Sequence, residues 1–330
     1  MTPTPTQKIL VTTRSFRKVP GKHQQLLPDA GYELVNSPVD RSLKADELGA
    51  ILADPEIVGA ILGVDEVTST AIEQAQGLRV ISRFGVGIDN VDLVAATARG
   101  IVVTNTPGAN SIAVAELTLA LMLALARHVT RHDRAIRNGD WSVISGMELH
   151  GQTLGIVGLG RIGQETAQRA RAFGMRILYY DPVPASAEVV AALGATACTL
   201  DELLAEADVV SLHLPLMDDT RNLIGARAME RMKTGALLIN TARGGLVDEA
   251  ALYEALAQNK LGGAAFDAFA KEPSIGNPLL ELENFIPAPH SGSATRQTTL
   301  RMGLMAAENA VMVLRGERPL HVVNPDVYQA

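Results

Sequence analysis

The stretch TLGIVGLGRIGQETAQRARAFGMRILYYD, residues 153–181, decides the fold of this chain. An apolar run, TLGIVG, meets the glycine pattern GLGRIG (158–163), and a helical pattern follows at once. The next apolar run, RILYYD, ends on an acid, Asp181. Strand, glycine turn, helix, strand and acid is an order that suits a dinucleotide. Gly158 permits the tight turn, Gly160 lets the backbone approach a pyrophosphate, and Gly163 lets the helix lie close to the strand. The helix start, with Arg161 and Ile162, then faces the phosphate charge with free N–H groups. Asp181 would accept hydrogen bonds from ribose hydroxyls and repel a 2′-phosphate, which favours NAD over NADP. A methyltransferase, or a glycine turn beside an incidental acid, would use the same elements.

Outward from this unit, short apolar runs keep alternating with helical patterns, as in α/β architecture with parallel sheets. Downstream strands are expected at 208–214 (DVVSLHL), 236–240 (ALLIN) and 262–267 (GGAAFD). An upstream series is expected at 8–12 (KILVT), 32–35 (YELV), 59–62 (GAIL), 79–82 (RVIS) and 101–105 (IVVTN), with helical stretches such as 44–52 and 68–76 between them. Two longer helical patterns, 111–127 and 295–315, stand apart. The second begins where the downstream strands have run out, so its end is expected to cross back to the upstream series. The expected fold class is α/β, with two doubly wound parallel-sheet lobes. A Rossmann cofactor lobe, 106–295, is inserted into a flavodoxin-like substrate lobe made of 1–105 and 296–330. No solenoid repeat is visible, and the only low-complexity stretch is the first six residues.

The 330 residues are enough for two domains of ordinary size. Hydrophobic residues make up 47% and aromatic residues only 4%, so the cores must be built from Ala, Leu, Val and Ile. A net charge of −7 gives no general attraction to nucleic acid or an anionic membrane, so an anionic substrate must be caught by locally placed cations. The single cysteine, Cys198, cannot form an intrachain disulfide, and no Cys/His zinc spacing is present; no metal and a reducing cytoplasm are expected. The start, MTPTPTQKILVTTR, lacks the apolar core of a signal peptide. The longest apolar run, 112–126, is interrupted by Glu116 and Thr118 and is shorter than the ~20 residues that span a bilayer, so it is read as a buried helix.

Three further segments carry chemistry. NTARGG (240–245) puts Arg243 at the carboxyl end of a strand, where open α/β sheets bind ligands. FDAFAKEP (266–273) puts Glu272 just after another strand, and PAPHSGSAT (287–295) puts His290 in a proline-flanked loop. Hydride transfer to a keto acid needs a cation, a proton donor and a group that keeps the donor protonated, and Arg, His and Glu can fill those roles. With these segments the sequence resembles the D-2-hydroxyacid dehydrogenase family over nearly the whole chain. It looks closest to phosphoglycerate dehydrogenases that lack a C-terminal regulatory domain.

That resemblance implies an NAD-dependent oxidoreductase working at C2 of a D-2-hydroxy or 2-keto acid, with 3-phosphoglycerate one candidate and glyoxylate or hydroxypyruvate the alternative. It implies that Arg243 anchors the substrate, that His290 is the acid/base, and that Glu272 pairs with His290 and raises its pKa. SRFGVGIDNVD (82–92) resembles the substrate loop, with the Val86 and Gly87 amides on the carboxylate and Arg83 among the substrate contacts. Thr241 and Asp267 are implied at the cofactor. TNTPGANSIAVAE (104–116) resembles the hinge into the cofactor lobe, and NGDW (138–141) recurs at the matching place. A homodimer through the cofactor lobe, with 111–138 in the contact, is implied as well. Resembling formate dehydrogenases carry Gln in place of Glu272, which speaks against that activity. An NAD(H)-sensing regulatory protein on the same fold is the alternative from another class.

His213, at a strand's carboxyl end, reads either as lining the nicotinamide pocket or as a core histidine. His128 and His132, four apart with no third ligand evident, read as a solvated helix end, and the basic run 127–137 as a solvated face or subunit contact. Phosphoglycerate dehydrogenases usually carry a cation after the third strand of the substrate lobe. Here GAILGVDEVT (59–68) places Gly63 and Asp65, and Asp65 would repel a phosphate. VTTRSFRK (11–18) places Arg14, Arg17 and Lys18 in a loop at the same sheet edge. Arg14 is the candidate for a substrate phosphate, and a solvated basic turn is the alternative.

Overall fold

A parallel sheet is covered on both faces, so its strands must be apolar on both sides. The computed structural model describes residues 7–329 and contains two such sheets. The low-complexity start lies outside the described residues. The first sheet consists of β1 (Lys8–Val11), β2 (Glu33–Asn36), β3 (Ile57–Leu62), β4 (Val80–Arg83) and β5 (Val102–Thr104). Its strands are all parallel, in the order β2-β1-β3-β4-β5. The second consists of β6 (Thr153–Val157), β7 (Arg176–Tyr180), β8 (Ala195–Ala197), β9 (Val209–Leu212), β10 (Ala236–Asn240), β11 (Leu261–Phe266) and β12 (Phe285–Pro287). It too is parallel, in the order β12-β11-β10-β9-β6-β7-β8.

Side chains alternate across each strand and so feed two cores per sheet. In the second sheet Leu154, Ile156, Ile177 and Ile239 pack on one face, while Val157, Leu178, Val210 and Leu238 pack on the other. The helix Ser111–Ala126 supplies Leu119, Met122 and Leu125 to the first of these faces. Among the described residues no single helix is long and apolar enough to cross a membrane. In the first sheet Leu10, Leu62 and Ile81 oppose Ile9, Val11 and Ile61 in the same way. The helix Arg296–Leu314 covers the second set with Ala306, Ala310 and Leu314. Each such fully buried Leu or Ile stabilises the fold by about 1.5–3 kcal/mol relative to exposure.

The chain divides into two compact units, one of 1–110 and 294–330 and the other of 111–293. These boundaries lie five and two residues from the expected ones. Hydrogen bonds explain the first difference: Asn105 N–H donates to the His321 carbonyl, Thr106 N–H to the Gly85 carbonyl, and the Arg301 side chain, through Nε, to the Ala109 carbonyl. The tail is stitched to β5 by Asn324, whose Oδ1 accepts from Val103 N–H at 2.8 Å while its Nδ2 donates to the Ile101 carbonyl.

Two local expectations are corrected. Arg14, Arg17 and Lys18 stand on a short helix, Arg14–Lys18, and not in a loop. Its stability is tertiary: Phe16 is buried against the His23 ring, and Gln24 Nε2 donates to the Phe16 and Arg17 carbonyls at the helix end. Asp65 is 1% exposed and does not face a ligand with a free charge. Its carboxylate accepts from Thr12 Oγ1, Leu43 N–H and Gly63 N–H, tying together the loops that follow β1 and β3. Strands β8 and β12 were not expected at all, since three residues are too few to show a period.

Candidate active site

In the second sheet the strand order reverses between β6 and β9, and ligands of open α/β sheets bind at the carboxyl edge of such a point. Gly158 follows β6 with φ of +102°, a conformation a side chain rarely adopts. Gly163 sits in the first turn of the helix Arg161–Ala172, where a Cβ would lie 2.1 Å from the Gly158 carbonyl oxygen. A Cβ on Gly160, by contrast, would meet nothing within 4 Å, so the turn leaves open space beside it. Arg161 is exposed and Ile162 half-buried at the helix start. This is the shape a pyrophosphate needs, and the residues present fit a dinucleotide.

Asp181 comes directly after β7. Its Oδ2 accepts from Leu159 N–H at 2.7 Å and its Oδ1 from Val183 N–H at 2.8 Å. The acid therefore also braces the glycine turn. His213 follows β9, half-buried, with Nε2 2.9 Å from Ser211 Oγ. Burial lowers its pKa to about 3, so the ring is neutral. Thr241 is buried, its hydroxyl 2.8 Å from Thr118 Oγ1.

The strands β10, β11 and β12 are successive neighbours, so the loops after them share one edge. Arg243 lies after β10, Glu272 after β11 and His290 after β12. His290 Nδ1 is 2.8 Å from Glu272 Oε2 and 3.1 Å from Oε1. The Glu272 contact raises the His290 pKa, against burial and the nearby Arg243 charge, which lower it. Burial works to raise Glu272, but its hydrogen bond to His290 and the His290 charge hold it below the usual carboxylate value. Both shifts favour an imidazolium–carboxylate pair.

His290 has φ of 53°, in the left-handed region that costs a non-glycine residue about 1–2 kcal/mol. Asp267 helps hold it there. This carboxylate is 3% exposed and accepts from Ser291 N–H and Gly292 N–H, each at 2.7 Å, so the chain just after His290 is pinned. Burial raises the Asp267 pKa, while the two amides favour its anion. Asp267 is expected at the cofactor, and nothing in the sequence signals this second contact.

Arg83, Val86, Gly87 and Arg14 belong to the other unit, while His128 and His132 lie in this one. Arg83 is 3% exposed, with Nε donating to the Gly87 carbonyl and Nη1 to the Leu62 carbonyl, both at 3.1 Å. These contacts shape the loop that follows β4. In that loop Val86 is 37% exposed and its carbonyl accepts from Asn105 Nδ2. Arg14 Nε lies 3.9 Å from Asp40, which also takes Arg17 and Lys18. His128 and His132 hold the chain that follows their helix: His128 Nε2 lies 3.2 Å from the Ser145 carbonyl, and His132 Nε2 accepts from Ile144 N–H at 3.1 Å.

Comparison with known proteins agrees with this geometry. Residues 119–292 match the family described as D-isomer specific 2-hydroxyacid dehydrogenase, NAD binding domain. A D-3-phosphoglycerate dehydrogenase of Methanocaldococcus jannaschii is 45% identical over 296 residues, covering 88% of this chain and 56% of its own length. The chain thus spans little more than half of that relative. A glyoxylate reductase of Korarchaeum cryptofilum is 43% identical, covering 88% of this chain and 86% of its own. The structure of a D-lactate dehydrogenase from Aquifex aeolicus, complexed with NAD and lactic acid, superposes with a TM-score of 0.84 at 30% identity, covering 96% of this chain and 99% of that one. The chain belongs to the D-isomer specific 2-hydroxyacid dehydrogenases and carries that family's NAD-binding domain.

Proposed function

We propose that this protein moves a hydride between NAD(H) and C2 of a small D-2-hydroxy or 2-keto acid. The observation that carries this reading is the 2.8 Å contact of His290 with Glu272 on the same sheet edge as Arg243. NADH, when bound, supplies the hydride to the keto carbon. Glu272 occupies Nδ1 of His290, so Nε2 is the nitrogen that gives a proton to the carbonyl oxygen in reduction and takes it back in oxidation. Arg243 supplies the cation for the substrate carboxylate and carbonyl.

For a phosphorylated substrate, support comes from Arg14, Arg17 and Lys18, three cations gathered on the single carboxylate of Asp40. Glyoxylate or hydroxypyruvate is the second reading, favoured by the uncharged Gly63 and Val64 after β3 and by the share of Asp40 that Arg14 already has. NADH oxidation with glyoxylate, pyruvate, hydroxypyruvate and 3-phosphohydroxypyruvate tests the reaction. Tight NADH binding with no turnover on any of them would replace it with an NAD(H)-sensing role. Arg14→Glu is expected to lower kcat/KM on 3-phosphohydroxypyruvate by about 30-fold or more and to leave hydroxypyruvate nearly unchanged. Equal losses on both would leave the unphosphorylated acids as substrates.

The same reading includes a cytoplasmic homodimer joined through residues 111–138. The helix Val129–Arg137 exposes Val129 and Ile136, apolar side chains that a partner would cover. Light scattering should give twice the chain mass of 35.0 kDa, and the monomer mass would remove this part of the proposal.

A further inference from the structure

The loop that carries Glu272 has little apolar anchorage. Ala270, Lys271, Glu272, Pro273 and Gly276 are exposed, and Ile275 is 89% exposed. A segment with so few buried contacts is soft unless polar ties hold it. Yet Glu272 must keep both oxygens on His290 Nδ1.

The ties come from Glu249. This residue begins the helix Glu249–Ala257, but the helix is already capped by Asp248, whose side chain accepts from Ala250 N–H and Ala251 N–H. Glu249 is turned instead toward the loop. Its Oε1 accepts from Ala270 N–H and its Oε2 from Asn277 Nδ2, both at 2.7 Å, so one carboxylate joins the two ends of the loop. Hydrogen bonds to a charged acceptor are short and about twice as strong as neutral ones. Asn277 is itself oriented: its Oδ1 accepts from Leu279 N–H, and its Nδ2 also reaches Ser274 Oγ. Next to Ala270, Phe269 N–H donates to Glu272 Oε1.

The turn of Arg243 leans on the same point. A Cβ on Gly244 would lie 1.9 Å from the Phe269 carbonyl carbon and 2.0 Å from Ala270 N, so only glycine lets the two backbones touch. The backbone of Phe269 and Ala270 is thus a junction between the Arg243 turn, the Glu249 carboxylate and the Glu272 carboxylate.

We infer that Glu249 and Asn277 are positioning residues that set the Glu272 loop against His290 and against the Arg243 turn. The consequence for catalysis rests on the proposed function, but the consequence for His290 does not. The test uses Glu249→Ala, Glu249→Gln and Asn277→Ala, with the His290 ring followed through a pH titration by NMR. In Glu249→Ala the His290 pKa is expected to fall, because Glu272 is no longer held on Nδ1. Reduction of a 2-keto acid is expected to slow about tenfold in kcat, with NADH affinity unchanged. Glu249→Gln keeps an acceptor for Ala270 but turns an NH2 toward Asn277, so it should restore part of the loss. Should Glu249→Ala fail to fold, Asn277→Ala, which removes one of the two ties, carries the test. A His290 titration that matches the wild type in a folded variant overturns the inference. If the wild type reduces no 2-keto acid, the proposed function falls while the titration still decides the role of Glu249.

Discussion

Replacing His290 by alanine is expected to lower turnover of a 2-keto acid by about 10²–10⁴-fold, the range for loss of a general acid. NADH binding should survive, because the glycine turn after β6 is built from other residues of the unit. The pH dependence supplies a sharper test through Glu272. Reduction needs the imidazolium, so its rate falls as pH rises through the His290 pKa. Oxidation needs the neutral ring and rises across the same range. Glu272 raises that pKa through its hydrogen bond and charge. Glu272→Gln should therefore move both limbs to lower pH. An unmoved profile in the folded variant would separate Glu272 from the titrating group and leave the 2.8 Å contact without a catalytic meaning.

Asp181→Ser is expected to change two things together. On the proposal that the Asp181 carboxylate takes the ribose hydroxyls and repels a 2′-phosphate, its removal should shrink a preference for NADH over NADPH. The structure adds a second cost, since Asp181 also holds Leu159 N–H in the glycine turn. A hydrogen bond to a charged group contributes about 1.5–3 kcal/mol, which corresponds to roughly a tenfold to hundredfold loss of NADH affinity. Fluorescence titration with both cofactors measures each effect. A wild type that binds NADPH as tightly as NADH would remove the role of Asp181 in cofactor choice. A variant with unchanged NADH affinity would remove its role in bracing the turn.

Much of the architecture was legible because it is written in short windows. A strand, a glycine turn and a helix follow one another within some thirty residues, and their periods of 2 and 3.6 need no distant partner to be read. The same holds for Arg243 and Glu272, which the sequence places after β10 and β11, whereas His290 reads only as lying in a proline-flanked loop. Features shorter than a period escaped, as β8 and β12 did. So did the helix Arg14–Lys18, whose last carbonyls take hydrogen bonds from Gln24 and whose Phe16 is buried against His23.

Charge was the least legible property. The sequence marks Asp65, Asp267 and Glu249 as acids but does not say what each carboxylate touches. Asp65 is consumed by the loops after β1 and β3, Asp267 pins the two residues after His290, and Glu249 closes the loop that bears Glu272. Local order along the chain is enough to put Arg243 and Glu272 after strands and to match the turn at 158–163 to a dinucleotide. That β10, β11 and β12 lie side by side, and so which loops meet, emerges only once the sheet is assembled. The physical reason is range: a strand or helix is set by neighbours along the chain, whereas a carboxylate's partner is set by sheet order, which joins residues 18 to 28 positions apart.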